Sequence, residues 1–209
     1  MTIKINEIFY SIQGESSYAG WPCVFVRLTG CNLRCSYCDS HYAFYDGTDM
    51  SIPEIIKEVE KYNCNLVEVT GGEPLLQNET PDLIRSLLDA GYRVLVETNG
   101  SQNISVLDEC TVAIMDVKCP SSEMVTHNDL NNLSNLRGHD EIKFVIGTEK
   151  DYLFAKKLLL DYKTELTGKK VHFAPVDESL SANVLADWIL RDGLNVRLNL
   201  QLHKILEVR

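Results

Sequence analysis

The sequence predicts an α/β protein, an incomplete (shortened) β/α barrel with parallel strands that forms one domain over residues 1–209. Short runs rich in β-branched residues alternate with helical patterns, which is typical of parallel βαβ units. No linker interrupts the alternation. Six such units occupy about 185 residues, too few for a complete barrel, whose eight units need roughly 200–250 residues. An open α/β sheet is the alternative, and both architectures place function at the carboxyl ends of the strands.

The predicted strands are short apolar runs that end at Gly, Asn, Asp or Pro. They cover residues 23–29, 66–70, 92–98, 112–117, 141–146, 170–174 and 195–199. Strand ends carry the unusual polar residues, as in Thr70-Gly71-Gly72-Glu73-Pro74 and Glu97-Thr98-Asn99-Gly100. These turns are therefore the predicted location of the functional site.

Four helices are predicted between the strands. The first begins at Ser51, where Ser51 and Glu54 form a capping box. The second covers residues 80–90 and ends at Gly91, a C′ glycine. The others cover about 151–165 and 181–191, and the polar stretch 121–138 predicts a loop insertion with a short helix.

Charge and hydropathy restrict the function classes. Twenty basic and thirty acidic residues give a net charge of −10, which repels phosphate backbones and excludes nucleic acid or an anionic membrane as the expected partner. No apolar run approaches the length of a membrane-spanning helix. The N-terminal residues lack the apolar core of a signal peptide, so a cytoplasmic location is expected.

The seven cysteines fall into two groups. Cys31, Cys35 and Cys38 lie within eight residues of one another, a spacing that indicates a metal site. The remaining cysteines are Cys23, Cys64, Cys110 and Cys119, and their apolar neighbours predict small buried side chains.

Two metal centres are compatible with the cluster of three cysteines. A structural zinc site needs four ligands, which Asp39 or His41 could complete. A [4Fe–4S] cluster fits better, because three thiolates leave one iron open to a small molecule.

The spacing Cys31-x3-Cys35-x2-Cys38, with Tyr37 before the last cysteine, resembles the radical S-adenosylmethionine superfamily. Thr70-Gly71-Gly72-Glu73-Pro74 is similar to the second motif of that superfamily. The resemblance implies that the open iron binds the methionine moiety of S-adenosylmethionine, whose reductive cleavage yields a 5′-deoxyadenosyl radical. It also implies an electron donor such as a flavodoxin or a ferredoxin.

A narrower resemblance runs from residue 5 to about residue 204. Phe9-Tyr10-Ser11-Ile12-Gln13-Gly14-Glu15 is similar to the opening motif of the 7-carboxy-7-deazaguanine synthase family. Asp116-Val117-Lys118 and Gln201-Leu202-His203-Lys204 extend the likeness. It implies a homodimer that converts 6-carboxy-5,6,7,8-tetrahydropterin to 7-carboxy-7-deazaguanine with loss of ammonia, in queuosine or 7-deazapurine biosynthesis.

The resemblance also implies the site residues. The substrate-binding residues would be Ile12, Gln13, Gly14, Glu15, Arg27, Thr70, Glu97 and His203. Those around S-adenosylmethionine would be Tyr37, Cys38, Asp39, Gly72, Glu73, Lys118, Cys119, Pro120, Ser121, Ala174, Pro175, Val176 and Asp177. Cys31, Cys35 and Cys38 would hold the iron–sulfur cluster, and Ser40 would bind Mg²⁺.

The chemistry of several of these side chains agrees with a pterin. Gln13 offers a donor and an acceptor to an amide-like edge, and Glu15 or Glu97 accepts from ring N–H groups. Arg27 offers a planar fork to a carboxylate. The chain departs from the family pattern at Ser40, where relatives often carry threonine, and before Pro175, where many carry glutamine.

Two other functions compete with this interpretation. A glycyl-radical-activating enzyme of the same superfamily is similarly short and has a comparable cysteine motif, but it needs a protein partner. A non-catalytic electron carrier would need a fourth cysteine ligand and no motif for the adenosyl group.

Overall fold

A computed structural model describes residues 2–176 and 179–208. Its strands form one mixed, mostly parallel sheet in the order β3-β1-β2-β4-β5-β6-β7-β8-β9. The strands are β1 (Thr2–Ile12), β2 (Pro22–Leu28), β3 (Thr48–Ser51), β4 (Leu66–Gly71), β5 (Arg93–Thr98), β6 (Val112–Val117), β7 (Glu141–Ile146), β8 (Lys170–Pro175) and β9 (Arg197–Leu198). The predicted shortened barrel is confirmed, because the sheet is not closed.

Seven helices accompany the sheet in the described residues: α1 (Ile52–Val59), α2 (Thr80–Asp89), α3 (Asn132–Asn135), α4 (Glu149–Asp161), α5 (Lys163–Leu166), α6 (Ala182–Asp192) and α7 (Leu202–Ile205). The capping box of α1 is present, with the Ser51 amide donating to Glu54 at 2.8 Å. Gly91 has the positive φ, +89°, that a C′ glycine supplies after α2.

Two predictions about elements need correction. β1 and β3 run antiparallel and were not predicted. In β1, Lys4, Asn6 and Glu7 interrupt the apolar pattern, and the register shifts between Ile5 and Glu7. The predicted helix over about 151–165 is two helices, because Tyr162 leaves helical geometry at φ −110° and ψ 32°.

Two apolar layers enclose the sheet. One lies between the strands and the helices, and includes Val94 and Val96 of β5. The other lines the interior of the barrel nearer the amino ends of the strands, and includes Leu95. Since side chains alternate along a strand, Glu97 points to the same interior face as Leu95 but nearer the carboxyl end. The barrel interior is therefore apolar nearer the amino ends of the strands and polar nearer their carboxyl ends.

A seam remains between the two ends of the sheet. The turn at Ser16–Tyr18 crosses it, since the amide of Ser17 donates to Glu141 Oε2 on β7 at 2.9 Å. The amide of Leu202 crosses it from the other side and donates to the carbonyl of Gly14 at 3.0 Å. The seam is thus closed by chain segments rather than by strand pairing.

Some sequence-based expectations about packing are wrong. Cys110 is exposed and Cys64 is only half-buried, whereas Cys23 and Cys119 are buried as expected. Within the described residues, no helix is both long enough and apolar enough to cross a membrane.

Candidate active site

A cavity of about 930 Å³ opens at the carboxyl ends of the parallel strands. Its wall brings together most of the predicted site residues. They are Ile12, Gln13, Gly14, Glu15, Arg27, Cys31, Cys35, Tyr37, Cys38, Asp39, Ser40, Thr70, Gly72, Glu97, Lys118, Pro175, Val176 and His203.

The other predicted residues lie behind the wall or outside the described part of the chain. Glu73, Cys119, Pro120, Ser121 and Ala174 do not line the cavity, and Asp177 lies outside the described residues. Glu73 is fully buried and accepts from the amide of Asn99 at 2.6 Å and from Thr98 Oγ1 at 2.9 Å. Its carboxylate therefore joins the turns after β4 and β5.

The loop with three cysteines lies against the turn after β4. A Cβ at Gly72 would lie 2.4 Å from Cys31 Cβ and 2.4 Å from the carbonyl oxygen of Gly30. No side chain fits there, so the glycine lets the two backbones approach closely. The glycine at position 72 of the Thr70-Gly71-Gly72-Glu73-Pro74 motif is thus required for steric reasons.

The cysteine loop fits a multi-iron cluster. Cys31 Sγ accepts from the amide of Leu33 at 3.4 Å and lies 3.9 Å from Asn99 Nδ2, and such N–H donors stabilise a thiolate. Burial raises the pKa of Cys35 and Cys38, a cost that coordination to iron removes, because iron binds the thiolate.

A structural zinc site lacks a ligand set in this region. Among residues 2–176 and 179–208, no three His, Cys, Asp or Glu side chains converge on the position of a single metal ion. Asp39, one of the two candidates for a fourth zinc ligand, has Oδ2 at 3.8 Å from Lys204 Nζ. A [4Fe–4S] cluster has several irons and does not require its thiolates to converge on one point.

Two buried polar groups next to the cysteine loop have no protein partner in the described residues. They are the Tyr37 hydroxyl and Asp116 Oδ1. The other oxygen of Asp116 accepts from Lys118 Nζ at 2.8 Å. Burial lowers the pKa of Lys118, but the attraction of Asp116 outweighs it and the net shift is upward. Because buried polar atoms are normally paired, this part of the wall fits a polar ligand such as S-adenosylmethionine.

The floor of the cavity holds three carboxyl groups and an ammonium. Lys143 Nζ lies 3.0 Å from Glu15 Oε2 and also bonds Glu97 Oε1. Gln13 Nε2 donates to Glu68 Oε2. Burial alone raises the pKa of Glu15, but Lys143 and a hydrogen bond from Gln201 bring it down to about 2. Burial raises the pKa of Glu68 well above its usual range, which favours its neutral form.

Sequence reasoning missed Lys143, Glu68 and Asp151. Lys143 and Glu68 lie in the middle of strands whose neighbouring residues are apolar. Parallel strands covered on both faces are usually apolar throughout, so a charged residue inside one is a signal that would have found both. Asp151 was placed only as the start of a helix, although it bonds the turn that carries Ser121.

The Arg27 side chain faces the cavity and is held in place by contacts with neighbouring side chains. Its Nε donates to Glu7 Oε1 at 2.9 Å, and the guanidinium carbon lies 5.7 Å from the ring centres of Phe9 and Tyr42. This leaves the fork of terminal nitrogens as the part suited to a carboxylate. Ser40 Oγ donates to Asp39 Oδ1 at 2.9 Å at the exposed edge of the cysteine loop.

His203 packs directly on Gly14. A Cβ at Gly14 would lie 2.1 Å from His203 Nδ1. Asn199 Nδ2 and Gln201 Nε2 lie 3.3 and 2.9 Å from the two oxygens of Glu15. The segment after β9 therefore forms the wall of the cavity at the seam.

The comparisons with known proteins agree with this geometry. The sequence pattern of the Radical SAM superfamily matches residues 25–140. The solved structure of QueE from Escherichia coli has a TM-score of 0.81 and 22% identity, covering 96% of this chain and 94% of that one. SuiB of Streptococcus suis bound to S-adenosylmethionine has a TM-score of 0.57 and 12% identity, covering 82% of this chain and 48% of that one. At these identities, the two structures show the shared fold.

The chain therefore belongs to the radical SAM superfamily of enzymes. It is 47% identical over 208 residues to the 7-carboxy-7-deazaguanine synthase of Chlorobaculum tepidum, covering 98% of this chain and 94% of the relative. Identity to that of Koribacter versatilis is 45% over 218 residues, covering 98% and 96%. Within the superfamily, the chain belongs to the 7-carboxy-7-deazaguanine synthase family. These relatives support neither the glycyl-radical activator nor the electron carrier.

Proposed function

We propose that this chain, as a single domain over residues 1–209, is a carbon–nitrogen lyase that converts 6-carboxy-5,6,7,8-tetrahydropterin to 7-carboxy-7-deazaguanine with loss of ammonia. One observation carries the proposal. A single cavity joins the three-cysteine loop to a floor of carboxylates and to the fork of Arg27. The printed names of the relatives support the same reaction.

The cysteine end of the cavity would hold the cofactors. Cys31, Cys35 and Cys38 would bind a [4Fe–4S] cluster, and the open iron and S-adenosylmethionine, when bound, supply the one-electron chemistry that starts the reaction. Backbone at 37–39, at Gly72, at Lys118 and at 175–176 would surround the adenosyl group, with Cys119, Pro120, Ser121 and Ala174 supporting that wall from behind.

The opposite end would bind the pterin. Gln13 and Thr70 offer hydrogen-bond partners to its amide-like edge, while Glu15 and Glu97 accept from its N–H groups. Arg27 would bind its carboxylate through two parallel hydrogen bonds. Ile12, Gly14 and His203 would complete the wall, and the segment after β9 would exclude water from the bound ring.

A divalent cation belongs to the same proposal. Mg²⁺ prefers oxygen ligands and shares its coordination sphere with water and substrate, and the Ser40 hydroxyl lies at the cavity wall. We expect Mg²⁺ to raise turnover and Ser40→Ala to blunt that response. Product formation against Mg²⁺ concentration, after chelator treatment, tests this, and an unchanged response in Ser40→Ala would remove Ser40 from the site.

The proposal extends to partners and location. We propose a homodimer in the cytoplasm that receives electrons from a flavodoxin or a ferredoxin. Sedimentation of the reconstituted protein tests the dimer. Product formation with each reduced donor tests the electron source.

The proposed reaction is tested by anaerobic reconstitution followed by incubation with S-adenosylmethionine, a reductant and the carboxylated pterin. Arg27→Ala should weaken pterin binding by about ten- to a hundred-fold, because it removes a charge-assisted contact worth about 1.5–3 kcal/mol. It should leave cofactor binding unchanged. An analogue without the carboxylate should bind both proteins equally.

Lys156→Met is the matched control for Arg27→Ala. It removes an ion pair to Asp192 on the helix layer, away from the cavity. A wild-type protein that forms no deazaguanine would overturn the proposed reaction. Equal losses for the two ligands in Arg27→Ala would show that Arg27 does not bind the carboxylate.

A further inference from the structure

We propose that Lys143 is a positioning residue of the substrate site, which keeps Glu15 and Glu97 together as two ionised acceptors for the N–H groups of the ligand. The inference deepens the proposed function and rests on it. Lys143 lies at the cavity wall but belongs to none of the motifs that relate this chain to its family.

The geometry of Lys143 is that of a bridge. The residue is 5% exposed and comes from the middle of β7. Its ammonium bonds Glu15, which follows β1, and Glu97, at the end of β5. Lys143 thus joins two carboxylates from separate segments of the chain at the cavity wall.

Electrostatics makes the bridge necessary. Two carboxylates that share one site raise each other's pKa, and one of them takes up a proton unless a cation lies between them. A third carboxyl group, Glu68, faces the same floor. Burial opposes the charge on Lys143, but Glu15 and Glu97 outweigh it and raise its pKa.

The other charged groups around the floor have different partners. Asp116 faces Lys143 from β6 and is bonded to Lys118, whose charge also faces Lys143. Arg27, on β2, is bonded to Glu7. His203 faces Glu15 from the segment after β9. In the described residues, Lys143 is thus the cation that bonds both Glu15 and Glu97.

The function of the pair follows from its ionisation. An ionised carboxylate accepts hydrogen bonds at both oxygens, whereas a protonated one donates at one of them. A ring edge with several N–H donors therefore binds to the ionised pair and loses a contact when one member is protonated. Lys143 would fix the number of acceptors that the site offers.

The experiment measures ligand affinity against pH in the reconstituted holoenzyme, by anaerobic calorimetry with the carboxylated pterin and without reductant. Lys143→Met removes the charge and keeps most of the volume. We expect the ratio of variant to wild-type Kd to be about ten to a hundred near pH 6. The ratio should fall towards one at high pH, where both carboxylates ionise without help. Taking the ratio at each pH cancels the titration of the pterin.

Two further variants complete the design. Lys143→Arg keeps the charge and should restore a ratio that does not change with pH. Lys156→Met removes an ion pair outside the cavity and should give a ratio near one throughout. A Lys143→Met ratio that is constant across the pH range would overturn the proposal, since a purely structural defect does not titrate.

A second measurement needs no ligand. Infrared spectroscopy of the ligand-free protein near pH 6 should show one more protonated carboxyl group in Lys143→Met than in the wild type, and the milder Lys143→Gln should show the same if Lys143→Met folds poorly. No additional band in either variant would overturn the proposal. A wild type that does not bind the pterin would overturn the proposed function alone, because the infrared comparison still tests Lys143.

Discussion

At the scale of one residue, Gly72 allows close backbone contact between the turn after β4 and the cysteine loop. Any side chain there would overlap Cys31 and the carbonyl of Gly30. We expect Gly72→Ala to push the cysteine loop outwards, to lose most of the bound iron after reconstitution, and to cost about 1–3 kcal/mol of unfolding free energy. Iron content per chain and urea unfolding are the measurements.

Gly138→Ala is the control for that substitution, because a Cβ at Gly138 meets nothing within 4 Å. It should keep its iron and its stability. Full iron loading in Gly72→Ala would show that the loop does not depend on this contact.

Cavity residues that belong to sequence motifs could be predicted from the sequence. Those that lie outside the motifs and contact the motif residues could not. Gln13, Glu15 and Glu97 were predicted and line the cavity together. Lys143 and Glu68 were not, because their role comes from which strands neighbour each other inside the barrel. That neighbourhood is a property of the folded sheet, and no short spacing in the chain encodes it.

At the scale of secondary-structure elements, Asp151 links helix α4, the turn at Ser121 and the cysteine loop. Its carboxylate accepts from the amides of Gly147 and Thr148 at 2.9 Å each, which caps the N-terminus of α4. The same carboxylate accepts from the amide of Ser121 at 2.8 Å. The carbonyl of Ser121 in turn accepts from Ser36 Oγ in the cysteine loop at 2.6 Å. One buried carboxylate therefore connects a helix, a turn and the cysteine loop.

We expect Asp151→Ala to cost about 2 kcal/mol or more of unfolding free energy, since a helix cap and several buried hydrogen bonds are lost together. It should also lower the iron content. Ser51→Ala is the matched control, because it disrupts the capping box of α1, whose side-chain hydrogen bonds join Ser51 to Glu54 and not to the cysteine loop. That variant should cost about 1 kcal/mol and keep its iron. Equal iron content in both variants would contradict the link.

Elements with a clear period were predicted closely, and elements fixed by their neighbours were not. β6 and β7 have the predicted bounds, because β-branched residues and turn signals mark both ends. β3 is a short exposed edge strand, Thr-Asp-Met-Ser, that exists only through its pairing with β1. Its own composition gives no strand signal.

At the scale of the whole molecule, we expect the contacts across the seam to make the stability of the fold sensitive to acid. Glu141, on β7, is fully buried and is hydrogen-bonded to Lys170 and His172 of β8. Its hydrogen bond from the amide of Ser17 crosses the seam to the turn after β1. Burial alone raises the pKa of Glu141, but hydrogen bonds from His172, Ser17 and Lys170 lower it to about 2. A lowered pKa contributes stability above the ordinary value near 4.5, and that contribution is lost as the pH falls towards 2.

Glu141→Gln should therefore be less stable than the wild type at pH 7 by up to about 3 kcal/mol. The difference should shrink between about pH 4.5 and pH 2. Urea unfolding at a series of pH values measures it, with Glu109→Gln, at an exposed position, as the control. Parallel curves for wild type and Glu141→Gln would show that this carboxylate does not control the acid response.

The position of the seam contacts along the chain has a consequence for synthesis on the ribosome. The contacts of Glu15 with Asn199 and Gln201 join residues 184 and 186 positions apart. Most strand pairs of the sheet join neighbours in the chain and form while later residues are still being added. The cavity at the carboxyl ends of the strands acquires its last wall only when residue 203 has left the exit tunnel. Until then, the nascent sheet exposes the carboxylates of its interior to water, and the growing chain has a fold before it has a binding site.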